Sequence, residues 1–380
     1  MRNIAVVGNA ANTLIHFRLD LIKDLVKIGY KVFAFSPSYS SEEMTIVRDV
    51  GAIPISYKIH RTSVNPVHEF LVILELKALF QENKIEAIIS YFVKPVIYSS
   101  IAGKLAKVNN INSMIAGLGY SFTENPNKGF DLKRSILKKI LSLLFKISFR
   151  YNRKVFFQNI DDLSLFVKKK IVNSSQAVRV FGSGVHLDRY QFSNPIVNPI
   201  TFITTGRLIE EKGFIEFVEA ASSLKRKYEN LKFVILGGLD ENPKGLNKNT
   251  LNSWVQKGIV EWPGKVDNVQ QWLKESSVFV LASYYREGTP RSILEALAIG
   301  RPVITTDHPG CRETVVEGEN GFLVSIKDSY ALEKAMEKFI INPELVNRMG
   351  IKSRKIAEEK YDVRKVNQVM INAMGLNQNL

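Results

Sequence analysis

Short apolar runs alternate with longer amphipathic stretches along almost the whole chain, and turn residues punctuate each pair. Ile4 to Val7, Lys31 to Ser36, Ile53 to Tyr57, Glu86 to Ser90 and Ile111 to Ala116 read as strands. They lack strict polar alternation, as parallel strands covered on both faces do. Helical spacing fills the gaps at about Leu14–Ile28 and Val67–Gln81, from the Tyr91–Pro95 stretch to about Val108, and at Leu132–Phe149. Lys154 to Gln158 and Ala177 to Phe181 read as the last strands of the first half. Ser193 to Pro199, with two prolines and two asparagines, reads as a linker. The rhythm then restarts with strands at Phe202–Thr205, Leu231–Leu236, Val260–Gly264, Val278–Ala282 and Val303–Thr306. Helices at about Ser329–Ile341, Pro343–Lys360 and Val363–Met374 complete it. The pattern predicts an α/β chain with two Rossmann-like domains, 1–190 and 200–360, and a last helix within 361–380.

The stretch from Ser283 to Val316 carries the strongest chemical signal. Glu287-Gly288 forms a short loop, Thr289 is placed to cap a helix, and Pro290 suits its first position. Gly300 closes the helix and Pro302 prevents its continuation. The loop then lies at the carboxyl edge of a parallel sheet, where open α/β sheets bind ligands. A helix start favours an anion, while Glu287 and Glu295, with seven residues between them, can accept from hydroxyls. Together they suit a nucleotide sugar. Alone, the two carboxylates would read as solvated charges; the intact run around them supports a site.

A second motif stands at Gly206-Arg207-Leu208-Ile209-Glu210-Glu211-Lys212-Gly213. An arginine fork and a lysine point charge after a strand suit a diphosphate. In the first half, Gly8-Asn9-Ala10-Ala11-Asn12-Thr13 follows the first strand. Its small residues would let a ligand approach the backbone, but G-x-G-x-x-G is absent, so NAD is not indicated. His16 and Arg18 either line a ligand site or form a solvated helix face. Cys311 reads as a small buried filler, since no His–Asp pairing accompanies it.

Glu287-Gly288-Thr289-Pro290 with Glu295 resembles the E-G-x-P-x4-E signature of the family 4 retaining glycosyltransferases. The continuation GRPVITTDHPGCRETVVEGENGFLV is similar to that family almost residue for residue. The resemblance implies a GT-B fold, two Rossmann-like domains facing a cleft, with the last helix crossing back to the first domain. It implies a UDP-sugar on the second domain: Arg207, Lys212 and Glu287 as catalytic residues, with Gly206, Lys265, Val266, Gly288, Thr289, Pro290 and Glu295 binding the nucleotide sugar. Asn9, His16, Arg18 and Gly117 would line the acceptor side. Arg61-Thr62-Ser63-Val64-Asn65-Pro66, YFVKPV at 91–96 and GLGYSFT at 117–123 resemble enzymes that glycosylate polyprenyl-diphosphate-linked sugars. Gly237 to Pro243 resembles transferases of N-acetylgalactosamine. The family's usual His near the end of the fourth or fifth strand is missing; Ala116-Gly117-Leu118-Gly119 stand there. His186 likewise replaces an acid in the G-x-G-V-D-L segment. No cofactor or metal is implied, because no D-x-D stands beside a strand end. A nucleotide-sugar 2-epimerase and a non-catalytic nucleotide-sugar sensor share the architecture and remain alternatives.

Charge adds a partner. Residues 1–190 hold 27 Lys and Arg against 14 Asp and Glu, a net of +13; the remainder is +2. A surplus confined to one half suggests an anionic partner for that half. Leu132–Phe149 is basic, with Lys133, Arg134, Lys138, Lys139 and Lys146 around an apolar stripe. It is either a core-packing helix with a solvated lysine face or a helix that docks on an anionic membrane. Lys168-Lys169-Lys170 adds to the surplus. No aromatic-interleaved basic module points to nucleic acid. The opening directly on Asn3-Ile4-Ala5-Val6-Val7 predicts no leader, no apolar run reaches ~20 residues, and a single cysteine fits a reducing compartment. A cytoplasmic protein on the inner membrane face is the expectation.

Overall fold

The computed structural model describes residues 2–59, 65–119, 122, 132–240 and 245–377. By packing, the chain divides into two compact units: residues 1–183 with 363–380, and residues 184–362.

The first unit runs β1 (Asn3–Val7), α1 (Ala11–Lys27), β2 (Lys31–Ser36), α2 (Ser41–Asp49), β3 (Ile53–Ser56), α3 (Pro66–Glu82), β4 (Ala87–Tyr91), α4 (Val93–Leu105), β5 (Asn110–Ile115), α5 (Leu132–Phe149), β6 (Lys154–Phe157), α6 (Ile160–Lys168) and β7 (Ala177–Arg179). Its seven parallel strands are ordered β3-β2-β1-β4-β5-β6-β7. The order reverses direction between β1 and β4, so the crevice favoured by ligands lies beyond those two strand ends. One face of the sheet carries a core with Val72, Leu76, Val96, Phe145, Phe149 and Phe166. The other packs Leu14, Leu21, Leu25 and Val47.

The second unit runs β8 (Ile200–Thr205), a 3-10 turn (Glu210–Lys212), α7 (Phe214–Lys227), β9 (Leu231–Leu236), α8 (Lys248–Gln256), β10 (Glu261–Gly264), α9 (Val269–Lys274), β11 (Val278–Leu281), α10 (Arg291–Ile299), β12 (Val303–Thr306), β13 (Gly321–Val324), α11 (Ser329–Ile341) and α12 (Glu344–Ile356). Its six parallel strands are ordered β10-β9-β8-β11-β12-β13, with the reversal between β8 and β11. The last helix, α13 (Val363–Met374), packs in the first unit: Asn367 donates to Asp24 of α1 at 2.7 Å and Asn110 donates to the Met374 carbonyl at 2.9 Å.

Several expectations need correction. Pro290, not Thr289, occupies the cap position of α10, which begins at Arg291. α1 begins at Ala11, so the loop after β1 is only Gly8 to Ala10. The room that Gly8 leaves is filled from within: a Cβ there would lie 2.2 Å from the Tyr91 hydroxyl. The helix expected at Pro343–Lys360 is α12 followed by a π-helical turn at Ala357–Tyr361. No element was expected between 36 and 53, yet α2 stands there behind a capping box of Ser40 and Glu43. Only Val47 of α2 is buried, too little apolar pattern to mark a helix. Arg61 to Val64, Tyr120, Ser121, Thr123 and Glu241 to Pro243 lie outside the described residues.

Candidate active site

The site of the second unit is built on the two loops beside its strand reversal. β8 is buried throughout, ends at Thr205 and is followed by Gly206. The chain then tightens into the 3-10 turn, whose end at Gly213 has φ 77°. Only glycine takes that conformation without strain, and a Cβ here would sit 2.1 Å from the Ala282 carbonyl oxygen. The close approach docks the turn on the end of β11. Tyr284 and Tyr285 donate their amides to the Glu211 carbonyl at 2.9 and 3.1 Å, and the Ser283 hydroxyl donates to the same oxygen at 3.2 Å.

This docking brings Lys212 and Glu287 together across 75 residues of sequence. Their side chains form an ion pair and are only 12% and 14% exposed. The Ser283 hydroxyl also lies 3.2 Å from Glu287 Oε1, a second acceptor for its one proton. Gly310, φ 84°, presses from the next loop; a Cβ there would lie 1.7 Å from the Gly288 carbonyl oxygen. Two glycine-dependent contacts thus fix the height of the Glu287 loop above the sheet. Cys311 beside Gly310 is fully buried, and burial pushes its thiol up to about 12, which suits a packing role.

Arg207 follows Gly206 on the open side. Its guanidinium is 55% exposed, 3.6 Å from Asp240, and lies over the Tyr285 ring at 5.9 Å. Glu295 stands on the second turn of α10, bonded by Arg291 Nε at 3.1 Å, with the buried Tyr190 close enough to feel its charge. Burial first, and then Glu295, push the Tyr190 phenol upward. Thr289 is buried, and Lys265 and Val266 follow β10, two strands away on the same edge. Arg207, Lys212, Glu287, Thr289, Pro290, Glu295 and Lys265 therefore share one carboxyl edge, with the positive end of α10 among them.

In the first unit, Asn9 sits after β1, where its side-chain oxygen accepts from Thr13 at 3.4 Å, and Gly117 follows β5 with φ 98°. His16 is exposed on α1. Arg18 does not lie on a solvated face: it is 4% exposed, over the Tyr91 ring at 5.2 Å, with Nη2 donating to Met114 Sδ at 2.6 Å.

Sequence reading missed the supporting shell. Arg291 could have been found, because i and i+4 ion pairs are a local helix pattern. Ser283, four residues before Glu287, stood at the start of the motif without a role, because only the folded loop turns its hydroxyl toward the carboxylate. Tyr190 could not have been found, since nothing local marks a residue 105 positions before Glu295. Arg301 was missed as well. It is wholly buried and donates to the carbonyls of Ser193, Leu273 and Lys274, tying the segment before β8 to the unit. Burial lowers its pKa to about 10.

Residues 3–159 match the model of a family described as glycosyl transferase 4-like, and residues 188–356 that of glycosyl transferases group 1. The chain is a family 4-type glycosyltransferase. This glycosyltransferase is 27% identical over 363 residues to an N,N'-diacetylbacillosaminyl-diphospho-undecaprenol alpha-1,3-N-acetylgalactosaminyltransferase of Campylobacter jejuni, covering 90% of each chain. It is 26% identical over 287 residues to the capsular polysaccharide biosynthesis glycosyltransferase CapM of Staphylococcus aureus, covering 70% of this chain and 73% of that one. Its fold is that of Anabaena Alr3699/HepE in complex with UDP, with TM-score 0.77 at 15% identity over 99% of this chain and 100% of the other. The lipopolysaccharide outer core galactosyltransferase WaaB gives TM-score 0.71 at 18% identity over 99% and 100%. Two Rossmann-like units of this kind constitute the GT-B-type fold.

Proposed function

We propose that the glycosyltransferase moves a hexose, N-acetylgalactosamine or galactose, from a UDP-sugar to a polyprenyl-diphosphate-linked sugar, with retention of configuration. The Lys212–Glu287 pair carries the reading, because it sets a cation and a hydroxyl-accepting carboxylate side by side at a strand-reversal edge. Breaking the sugar–phosphate bond leaves negative charge growing on the UDP diphosphate. Lys212, Arg207 and the start of α10 meet that charge with fixed positive groups, which need no reorganisation as the bond breaks. Glu287 accepts from sugar hydroxyls, and Glu295, held by Arg291, accepts from ribose hydroxyls. Lys265 and Val266 offer backbone to the base. The acceptor hydroxyl attacks from the leaving-group face, where the departing diphosphate takes its proton.

Support for the donor comes from the Campylobacter relative's N-acetylgalactosaminyl activity and from the UDP in the HepE complex. Support for the acceptor comes from that relative's diphospho-undecaprenol substrate and from the basic first half. Asn9, His16, Arg18 and Gly117 then belong to the acceptor side, with Arg18 acting from beneath by holding Tyr91. No helix among the described residues is long and apolar enough to cross a membrane. A lipid acceptor therefore calls for peripheral docking on the cytoplasmic leaflet, where α5 is the first contact. A panel of UDP-sugars, with and without a polyprenyl-diphosphate sugar, tests the reading. An α-linked N-acetylgalactosaminyl or galactosyl product that requires the acceptor is expected. A β-linked product refutes retention, α-linked glucose refutes the donor choice, and acceptor-independent epimerisation refutes transfer.

A further inference from the structure

α3 is apolar nearly all round, and such a helix is ordinarily buried on all sides. It is not. Val72, Leu76 and Phe80 face the core, but on the opposite side Val67, Phe70, Leu71 and Leu74 are 65%, 57%, 55% and 38% exposed. Their spacing of three and four places them in one stripe along the first half of the helix. α5 repeats the arrangement. Phe145 and Phe149 enter the core, while Leu132, Ile136, Ile140 and Leu143 form an outward stripe, each between 48% and 61% exposed. α4 packs between α3 and α5. In a parallel βα unit each helix starts at the carboxyl edge of the sheet, so both stripes lie toward the edge where the loops after β1, β4 and β5 open.

We infer that α3 and α5 together form a two-helix face that docks on an anionic lipid bilayer, with α3 as an apolar wedge and α5 as a combined wedge and electrostatic anchor. Charge selects the bilayer over a second copy of the chain or a protein partner. α5 carries five basic residues and no acid, and Lys139 and Lys146 flank its stripe on the exposed side. Beside them a groove of about 640 Å³ is lined by Lys138, Lys139, Lys146 and Lys169 together with the apolar Leu143 and Ile171, cations matched to lipid phosphates beside an apolar floor. The acids on the first half of α3 are occupied within the unit: Glu69 pairs with Lys94 at 2.7 Å, and Glu75 accepts the Lys58 amide at 3.0 Å. An apolar stripe rimmed by lysines, with its nearby carboxylates internally compensated, is the pattern of an interfacial helix.

This inference deepens the lipid-acceptor reading, but binding is measured without turnover, so the two can fail separately. The whole chain is sedimented with phosphatidylcholine vesicles with and without about 30% phosphatidylglycerol. Wild type should require the anionic lipid. Phe70→Ser/Leu71→Ser should weaken binding on the order of tenfold or more, while leaving the melting temperature and transfer to a water-soluble acceptor analogue unchanged. Lys139→Gln/Lys146→Gln should weaken it too, and added salt should narrow that difference. Unaltered vesicle binding by the α3 variant overturns the inference. So does equal wild-type binding to neutral vesicles, or a wild-type dimer that the α3 variant dissociates, which would make the face a contact between copies.

Discussion

Replacing Lys212 by Met separates two readings of the Lys212–Glu287 pair. If the lysine only holds the fold, its loss should be repaired by also neutralising its partner. If it stabilises the leaving diphosphate, no change at Glu287 can restore it. Breaking a fully buried ion pair costs about 3–5 kcal/mol, because the surviving charge is stranded. Here the two side chains keep 12% and 14% exposure, and Ser283 still reaches Glu287 at 3.2 Å. A stability loss of about 1–3 kcal/mol is therefore expected for Lys212→Met in urea unfolding. The double variant Lys212→Met/Glu287→Gln should recover most of it. Turnover should fall on the order of 10²- to 10³-fold in the single variant, about 2.7–4 kcal/mol of transition-state stabilisation. The loss should appear in kcat and kcat/KM alike, since the charge it meets grows only as the bond breaks. Because the double variant also loses the Glu287 carboxylate, the deciding measurement is turnover of Lys212→Met under conditions where it is fully folded, and that turnover should stay low. Near-normal turnover in Lys212→Met, or a double variant that regains activity with stability, would refute the leaving-group role.

Arg207→Ala should lower turnover by at least tenfold yet change stability by no more than ~0.5 kcal/mol, because its contact to Asp240 is an exposed pair; a large fall in melting temperature would show that it supports the fold instead. Exhaustive EDTA treatment should leave transfer intact, as protein cations are placed to meet the diphosphate charge; an absolute need for Mg²⁺ would remove that account. Gly310→Ala should displace the Glu287 loop, since its Cβ would overlap the Gly288 carbonyl, and should cost more than tenfold in turnover; normal activity would mean the loop height is unimportant. With its thiol pushed up to about 12, Cys311 is thiolate in only ~1 part in 10⁴ at pH 8. Iodoacetamide should label it in denaturant and not in the folded chain, and fast native labelling would contradict its burial.

The sequence by itself determined the alternation of strands and helices and the two motifs, because both are local. Apolar runs, helix spacing and turn glycines act over a few residues, and β2, β9, β12, α5, α11 and α13 stand where those signals put them. Arg207 with Lys212, and Glu287 with Glu295, were legible for the same reason: each pair sits on one loop-to-helix segment. Whatever depended on strand order was not. That β8 lies beside β11, rather than several strands away, is what lets Lys212 meet Glu287, and it follows from how the sheet assembles. Tyr190 lying near enough to Glu295 to feel its charge, Arg18 turning inward under Tyr91, and Tyr91 filling the room above Gly8 are packing outcomes between distant segments. The exposed stripe of α3 is the clearest case. Its composition reads as core, and only the number of neighbours available in the folded unit decides which apolar side chains are covered and which are left facing outward.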